Sequence, residues 1–149
     1  MALTIAAICD GIEETLAEAT GIKSTKSYDE IPEGVPSLAC PRLHVYPDAV
    51  GQDVATNTDR TAFGGGVQQS EVLIFVDHFA RQRSQMHLDM KAVVEGLDAL
   101  MDVIEEQEKP PFFGVTGIKS FKWSWKRAVL SFSGALYAGG RFSILVRVF

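Results

Sequence analysis

The chain has little of what metal centres and redox sites are made from. Its 149 residues include two cysteines and three histidines. Cys9 and Cys40 stand too far apart for a paired ligand or dithiol motif, so both are expected as reduced thiols in a cytosolic setting. Long apolar runs are also missing. The stretch from Ile5 to Cys9 meets Asp10 at once and the first basic residue is Lys23, so neither a secretory leader nor a membrane span is expected.

The most informative absence is of negative charge. Residues 115–149 contain no Asp or Glu, but hold Lys119, Lys122, Lys126, Arg127, Arg141 and Arg147. All nineteen acids precede them with the other eight bases, a balance of −11 beside +6 that makes the net −5. A monomeric enzyme has little use for such a split. A subunit that meets copies of itself front to back does, because opposite patches attract and orient the pairing. The net charge argues against a general nucleic-acid binder, while the basic tail leaves a local anionic partner open.

What is present is a complete pattern for one α+β domain over residues 1–149, whose 46% hydrophobic content suits a sizeable core. Ile5, Ile8, Ile12, Leu16 and Ala19 recur at helical spacing with Asp10, Glu13, Glu14 and Glu18 opposite, and Thr20-Gly21 is a plausible stop. A proline-studded stretch leads to a first strand over 42–46, closed by Pro47-Asp48. Residues 48–69 carry no periodicity and form a long connection, of the kind that is usually functional or disordered. Residues 71–79 are apolar on both alternating faces, which predicts a central strand.

The second helix has Ser84 as its cap and Met86, Met90, Val93, Leu97, Leu100, Met101 and Ile104 as its stripe; Pro110-Pro111 forbids continuation. Three strands are expected after it, over 117–126, 128–133 and 141–149. The order α-β-β-α-β-β-β, with a long loop between the first two strands, implies a mixed or antiparallel sheet with two helices packed on one face.

Few residues are arranged for chemistry. Gly64-Gly65-Gly66 leads into a strand rather than a helix, so it is a loop tip and not a phosphate cradle. Ser131-Phe132-Ser133-Gly134 lacks the first glycine of a nucleophile elbow. Asp53, Asn57 and Asp59 miss calcium-loop spacing. His78 closes a strand and His87 opens the next helix, so the two imidazoles and Asp89 can be imagined around a metal or as a general base; no further ligand is obvious. Phe121, Trp123 and Trp125 alternate with Lys122, Ser124 and Lys126, which puts aromatics and bases on opposite faces. That favours core or subunit-interface tryptophans over a nucleic-acid stacking platform.

With these elements placed, the layout resembles the tail terminator and tail-completion proteins of long-tailed bacteriophages. The likeness runs over most of the chain. It lies in the N-terminal amphipathic helix, the approach Ile31-Pro-Glu-Gly-Val-Pro-Ser-Leu-Ala-Cys-Pro41, the strand Arg42-Leu-His-Val-Tyr-Pro47, and the ending Tyr137-Ala-Gly-Gly-Arg-Phe-Ser-Ile-Leu-Val-Arg-Val148, with its aromatic-Gly turn and alternating strand.

The resemblance implies a non-enzymatic virion protein without cofactors. Such a protein is assembled in the host cytoplasm as a homo-hexameric ring that caps the tail tube and presents it to the head-tail connector. Its partners are copies of itself, the tube protein and the connector; DNA passes through the ring without sequence-specific recognition, and no membrane is involved. A neck or head-completion protein of the same virion is the nearest alternative. A small-molecule- or metal-binding module or an enzyme using His78 and His87 is the alternative of a different class.

Two candidate surfaces follow from the charge pattern. The acidic helix residues Glu95, Asp98, Asp102 and Glu105 are expected to meet Lys119, Lys122, Lys126 and Arg127 of a neighbour. Asp53, Asn57, Asp59, Arg60 and Phe63 belong to the candidate docking loop.

Overall fold

The computed structural model describes residues 3–29, 31, 40–51 and 71–148. In chain order the elements are α1 (Ile5–Leu16), β1 (Ser24–Lys26), β2 (Arg42–Gly51), β3 (Glu71–Gln82), α2 (Met86–Glu105), β4 (Ile118–Phe132) and β5 (Ala135–Val148). One sheet forms in the order β1-β2-β3-β5-β4, with β1 parallel to β2 and all other pairs antiparallel. The fold is therefore α+β with a mixed sheet, and both helices pack on one face.

The sheet's inner face is built by alternation. Leu43 and Val45 of β2, Val72, Ile74 and Val76 of β3, and Phe142, Ile144 and Val146 of β5 are all buried and point to the helices. β3 lies between β2 and β5, as its two apolar faces imply. The helix α1 starts at Thr4, whose hydroxyl accepts from the Ala7 N–H at 3.1 Å. Its Ile8, Ile12 and Leu16 are at most 1% exposed, each contributing about 1.5–3 kcal/mol of burial.

The second helix departs from expectation at its start. Its cap is Gln85, which makes no side-chain capping bond. Ser84 is one residue too early; its hydroxyl instead accepts from Arg81 Nη2 at 2.9 Å, and its N–H donates to Asp89 Oδ2 at 3.2 Å. Met86, expected on the apolar stripe, is 65% exposed, so the buried stripe begins at Val93 and runs through Gly96, Leu100, Val103 and Ile104.

Among the described residues the strands after α2 number two, not three. Polar-apolar alternation carries β4 straight through Arg127, and the reversal comes at Ser133-Gly134, where φ is 51° and 83°. Two consecutive left-handed residues make the two-residue hairpin turn whose twist matches that of paired strands. Gly139-Gly140, read as a turn in the sequence, lies inside β5. A Cβ at Gly139 would strike the His78 carbonyl and one at Gly140 the Trp125 indole, so these glycines admit close neighbours rather than reverse the chain.

Two further differences lie near β2. Pro47-Asp48 does not end this strand, which continues to Gly51 through a register shift between Pro47 and Ala49. β1 reaches only as far as His44 on β2, so among the described residues Pro47 has no strand neighbour on that side needing its missing N–H. β1 itself, three polar residues, carries no pattern that sequence could flag. The remainder of the long connection, with Asp53, Asn57, Asp59, Arg60 and Phe63, lies outside the described residues.

Buried histidines give this fold a pH dependence. His78 is fully buried and His44 3% exposed; burial holds each imidazole neutral down to about pH 4, from an ordinary 6.5. At His44, Arg42 pushes in the same direction and Asp77 opposes. The unfolded chain takes up these protons first. Stability is thus complete above pH 6.5 and is lost as pH falls from 6.5 towards 4, by about 3 kcal/mol per histidine. His78→Leu, of similar bulk, should remove one share and flatten the decline. Urea midpoints of both proteins at pH 7 and pH 4.5 check this; parallel declines would place the titration elsewhere.

Candidate functional site

The acids of α2 and two of the β4 bases, Lys122 and Lys126, occupy opposite sides of the subunit. Glu95, Asp98, Asp102 and Glu105 are all exposed on α2, away from the sheet. Lys91 Nζ stands 4.0 Å from Glu95 Oε1, both side chains about seven-tenths exposed, so that pair contributes little. Asp98, Asp102 and Glu105 have no ion-pair partner among the described residues.

The four bases expected to act together do not form one patch. Lys122 and Lys126 stand opposite Leu145 and Arg141 in the register, on the face away from the helices. Arg127 points to the helix side, where its Nη1 lies 3.4 Å from Met90 Sδ. Lys119 falls in the irregularity between Ile118 and Ser120. Strand alternation, which separates neighbours onto opposite faces, is the reason. All four are exposed and without an ion pair among the described residues.

The two remaining groups of tail bases are already neutralised. Arg141 lies directly across from Asp77, and Arg147 across from Glu71, in the β3–β5 ladder. Arg141 Nε donates to Asp77 Oδ1 at 2.7 Å and its Nη2 reaches Oδ2 at 3.4 Å. Tyr46 on β2 donates its hydroxyl to Asp77 Oδ2 at 2.6 Å and accepts from Arg141 Nη2 at 3.1 Å. The guanidinium carbon sits 4.5 Å from the Phe75 ring centroid. Burial, followed by the hydrogen bond to Asp77, pushes the Tyr46 phenol well above its usual value; the bond to Asp77 also raises the Arg141 guanidinium. Arg147 Nε donates to Glu71 Oε2 at 3.2 Å, with Glu71 only 3% exposed. These are directly opposed cross-strand pairs that tie β2, β3 and β5 on the face away from the helices.

This cluster was hidden in the sequence. Tyr46, Asp77 and Arg141 are unremarkable one at a time, and only the strand register makes them neighbours. The His–acid grouping proposed from sequence is not assembled. The His78 ring packs on Gly96 inside the core, whereas His87 is exposed in the first turn of α2, about 13 Å away along the helix at 1.5 Å per residue. Asp89 is engaged by Arg81, at 3.3 Å, and by the Ser84 N–H. Among the described residues, no three His, Cys, Asp or Glu side chains are grouped as metal ligands. Cys9 and Cys40 are free thiols, and burial, then Asp10, pushes Cys9 up to about 11. Among the described residues no helix is long and apolar enough to cross a membrane.

Phe121, Trp123 and Trp125 line the helix side of β4, half-buried against the core, with Trp123 tilted against Phe142 at 5.9 Å between ring centroids. All three share one face, as strand alternation predicts, and within the subunit they pack at the edge of the core.

Asp77→Ala should leave the Tyr46 hydroxyl and the Arg141 guanidinium without their shared acceptor. Because Arg141 is 40% exposed and water can reach it, the cost should be about 2 kcal/mol, below that of a wholly buried pair. A shift in the urea midpoint measures it. An unchanged midpoint would mean that the cluster is incidental to stability.

The chain matches no protein-family model and no curated protein.

Proposed function

We propose that this chain is a structural virion subunit that closes into a homo-oligomeric ring, terminates the tail tube of a long-tailed bacteriophage, and prepares it for joining to the head. The observation that carries the reading is the separation of unpaired charge. Asp98, Asp102 and Glu105 face outward on α2, while Lys122 and Lys126 stand on the other face of the sheet. Within one subunit these groups cannot meet. Between copies a head-to-tail contact brings them together, and such contacts close into a ring when the rotation between neighbours permits. Each exposed pair is worth about 0–1 kcal/mol, so repetition around the ring, not any single bridge, sets orientation.

On this reading the protein works by occupancy rather than turnover. The ring, a hexamer by the resemblance, sits on the growing tube end and excludes the next tube subunit. Its opposite side receives the head-tail connector, and DNA crosses the bore. The residues of the long connection, Asp53 to Phe63 among them, are the proposed docking segment. The protein is made and assembled in the host cytoplasm and ends in the virion.

Removing the protein from production of the phage that carries it should leave overlong or headless tails, and purified protein added back should cap them. Negative-stain images of the purified protein should show rings. Tails of normal length joined to heads would overturn the proposal. Normal-length tails without heads would transfer it to the neck or head-completion step.

A further inference from the structure

The C-terminal end of α2 carries charge of the wrong sign for a helix standing alone, and unpaired bases stand at its N-terminal end, where the one first-turn acid, Asp89, is taken up by Arg81. A helix N-terminus favours anions and a C-terminus cations, each correct match contributing about 0.3–1 kcal/mol. At the C-terminal end of α2 the last turn holds no base, and Asp102, Glu105 and Glu106 crowd there. The end of α1 converges on the same place, again without a base in its last turn. Together they wall a polar cleft of about 430 Å³ in which Glu18, Asp102 and Glu106 all take part. Two negative helix ends and three carboxylates thus face one opening.

The N-terminal end is the reverse. A mainly apolar groove of about 140 Å³ lies between the start of α2 and the β4–β5 hairpin, lined by Met86, Met90, Val93 and Val129 and flanked by Arg83 and Arg127. Met86 is 65% and Val129 54% exposed, and the two share this one groove. Arg83 and Arg127 have no carboxylate partner among the described residues. Asp89, also at the groove, is already paired with Arg81.

We infer that the groove at the start of α2 receives the acidic end of α2 from a second copy of this chain, with Arg83 and Arg127 entering the neighbour's cleft of Glu18, Asp102 and Glu106. The contact places the acidic C-terminal end of α2 against unpaired bases and a helix N-terminus. It covers Met86 and Val129, and it brings guanidinium groups, which suit paired carboxylates, to a cleft crowded with them. The two surfaces lie at opposite ends of a rod about 30 Å long, so the contact is heterologous and propagates from copy to copy. This inference rests on the ring-forming reading and refines its contact: Asp102 and Glu106 meet Arg83 and Arg127 of the neighbour rather than Lys122 and Lys126.

The test uses the full chain in sedimentation velocity at low and high salt. Two charge-reversed variants are needed, Arg83→Glu with Arg127→Glu, and Asp102→Lys with Glu106→Lys. All four side chains are exposed, so thermal melting should stay near wild type. Each double variant should associate roughly tenfold more weakly or worse, and wild-type assembly should loosen with salt. An equimolar mixture should assemble again, since the acidic groove of one variant then meets the basic helix end of the other, and the unaltered surfaces meet in turn. A mixture that stays monomeric, or a double variant that assembles like wild type, would overturn this contact while leaving the ring reading intact. A wild-type protein that remains monomeric at low salt would overturn both.

Discussion

The seat of α2 on the sheet depends on one close approach, that of the Gly96 backbone to the His78 ring. A Cβ at Gly96 would overlap that imidazole, so the helix rests on the ring itself. The ring fills the space a second side chain would need, and both its nitrogens are buried without a hydrogen-bond partner among the described residues. A neutral imidazole tolerates this and a charged one does not. Everything α2 presents outward takes its direction from this contact: the acidic face, the apolar groove at one end and the crowded carboxylates at the other.

A second constraint acts on the opposite face. The β3–β5 ladder sets Asp77 against Arg141 and Glu71 against Arg147, removing two of the six tail bases from the subunit's outward charge. The other four all belong to β4, the outer strand of the sheet. Lysines along an exposed edge also discourage unwanted pairing with other strands. The tail's basicity is therefore concentrated where a long strand would otherwise offer an open ladder, and the same residues can guard the edge and steer a neighbour.

Much of the architecture was legible in the residues. The period of α1, the stripe from Val93 to Ile104 and the two apolar faces of β3 reflect burial, which leaves a pattern in sequence. The errors fall where a decision depends on a partner. Ser84 rather than Gln85 as the cap was a matter of one residue in backbone angle. Pro47 and Gly139-Gly140 look like interruptions until the neighbouring strand shows that one sits beyond the reach of β1 and the others make room for His78 and Trp125. The candidate surfaces were legible as charge but not as shape. Strand alternation scatters Lys119, Lys122, Lys126 and Arg127, and it is the packing of the hairpin beside the start of α2 that gathers Arg83, Met86, Arg127 and Val129.

The two-residue turn at Ser133-Gly134 has a consequence for how the chain reaches this structure. β4 and β5 pair along nearly their whole lengths with no intervening loop to close, so their contacts are local and their hairpin can form on the time scale of about 1–10 μs. β2 and β3 have a separation of some twenty residues to bridge before their first pair is made, and β1 must reach β2 across the proline-rich stretch. The last strands of the chain are thus placed to be the first to pair, giving β3 a ready-made edge on β5 to add to. Contact locality favours a sheet that starts from its C-terminal hairpin, against the direction in which the polypeptide is read.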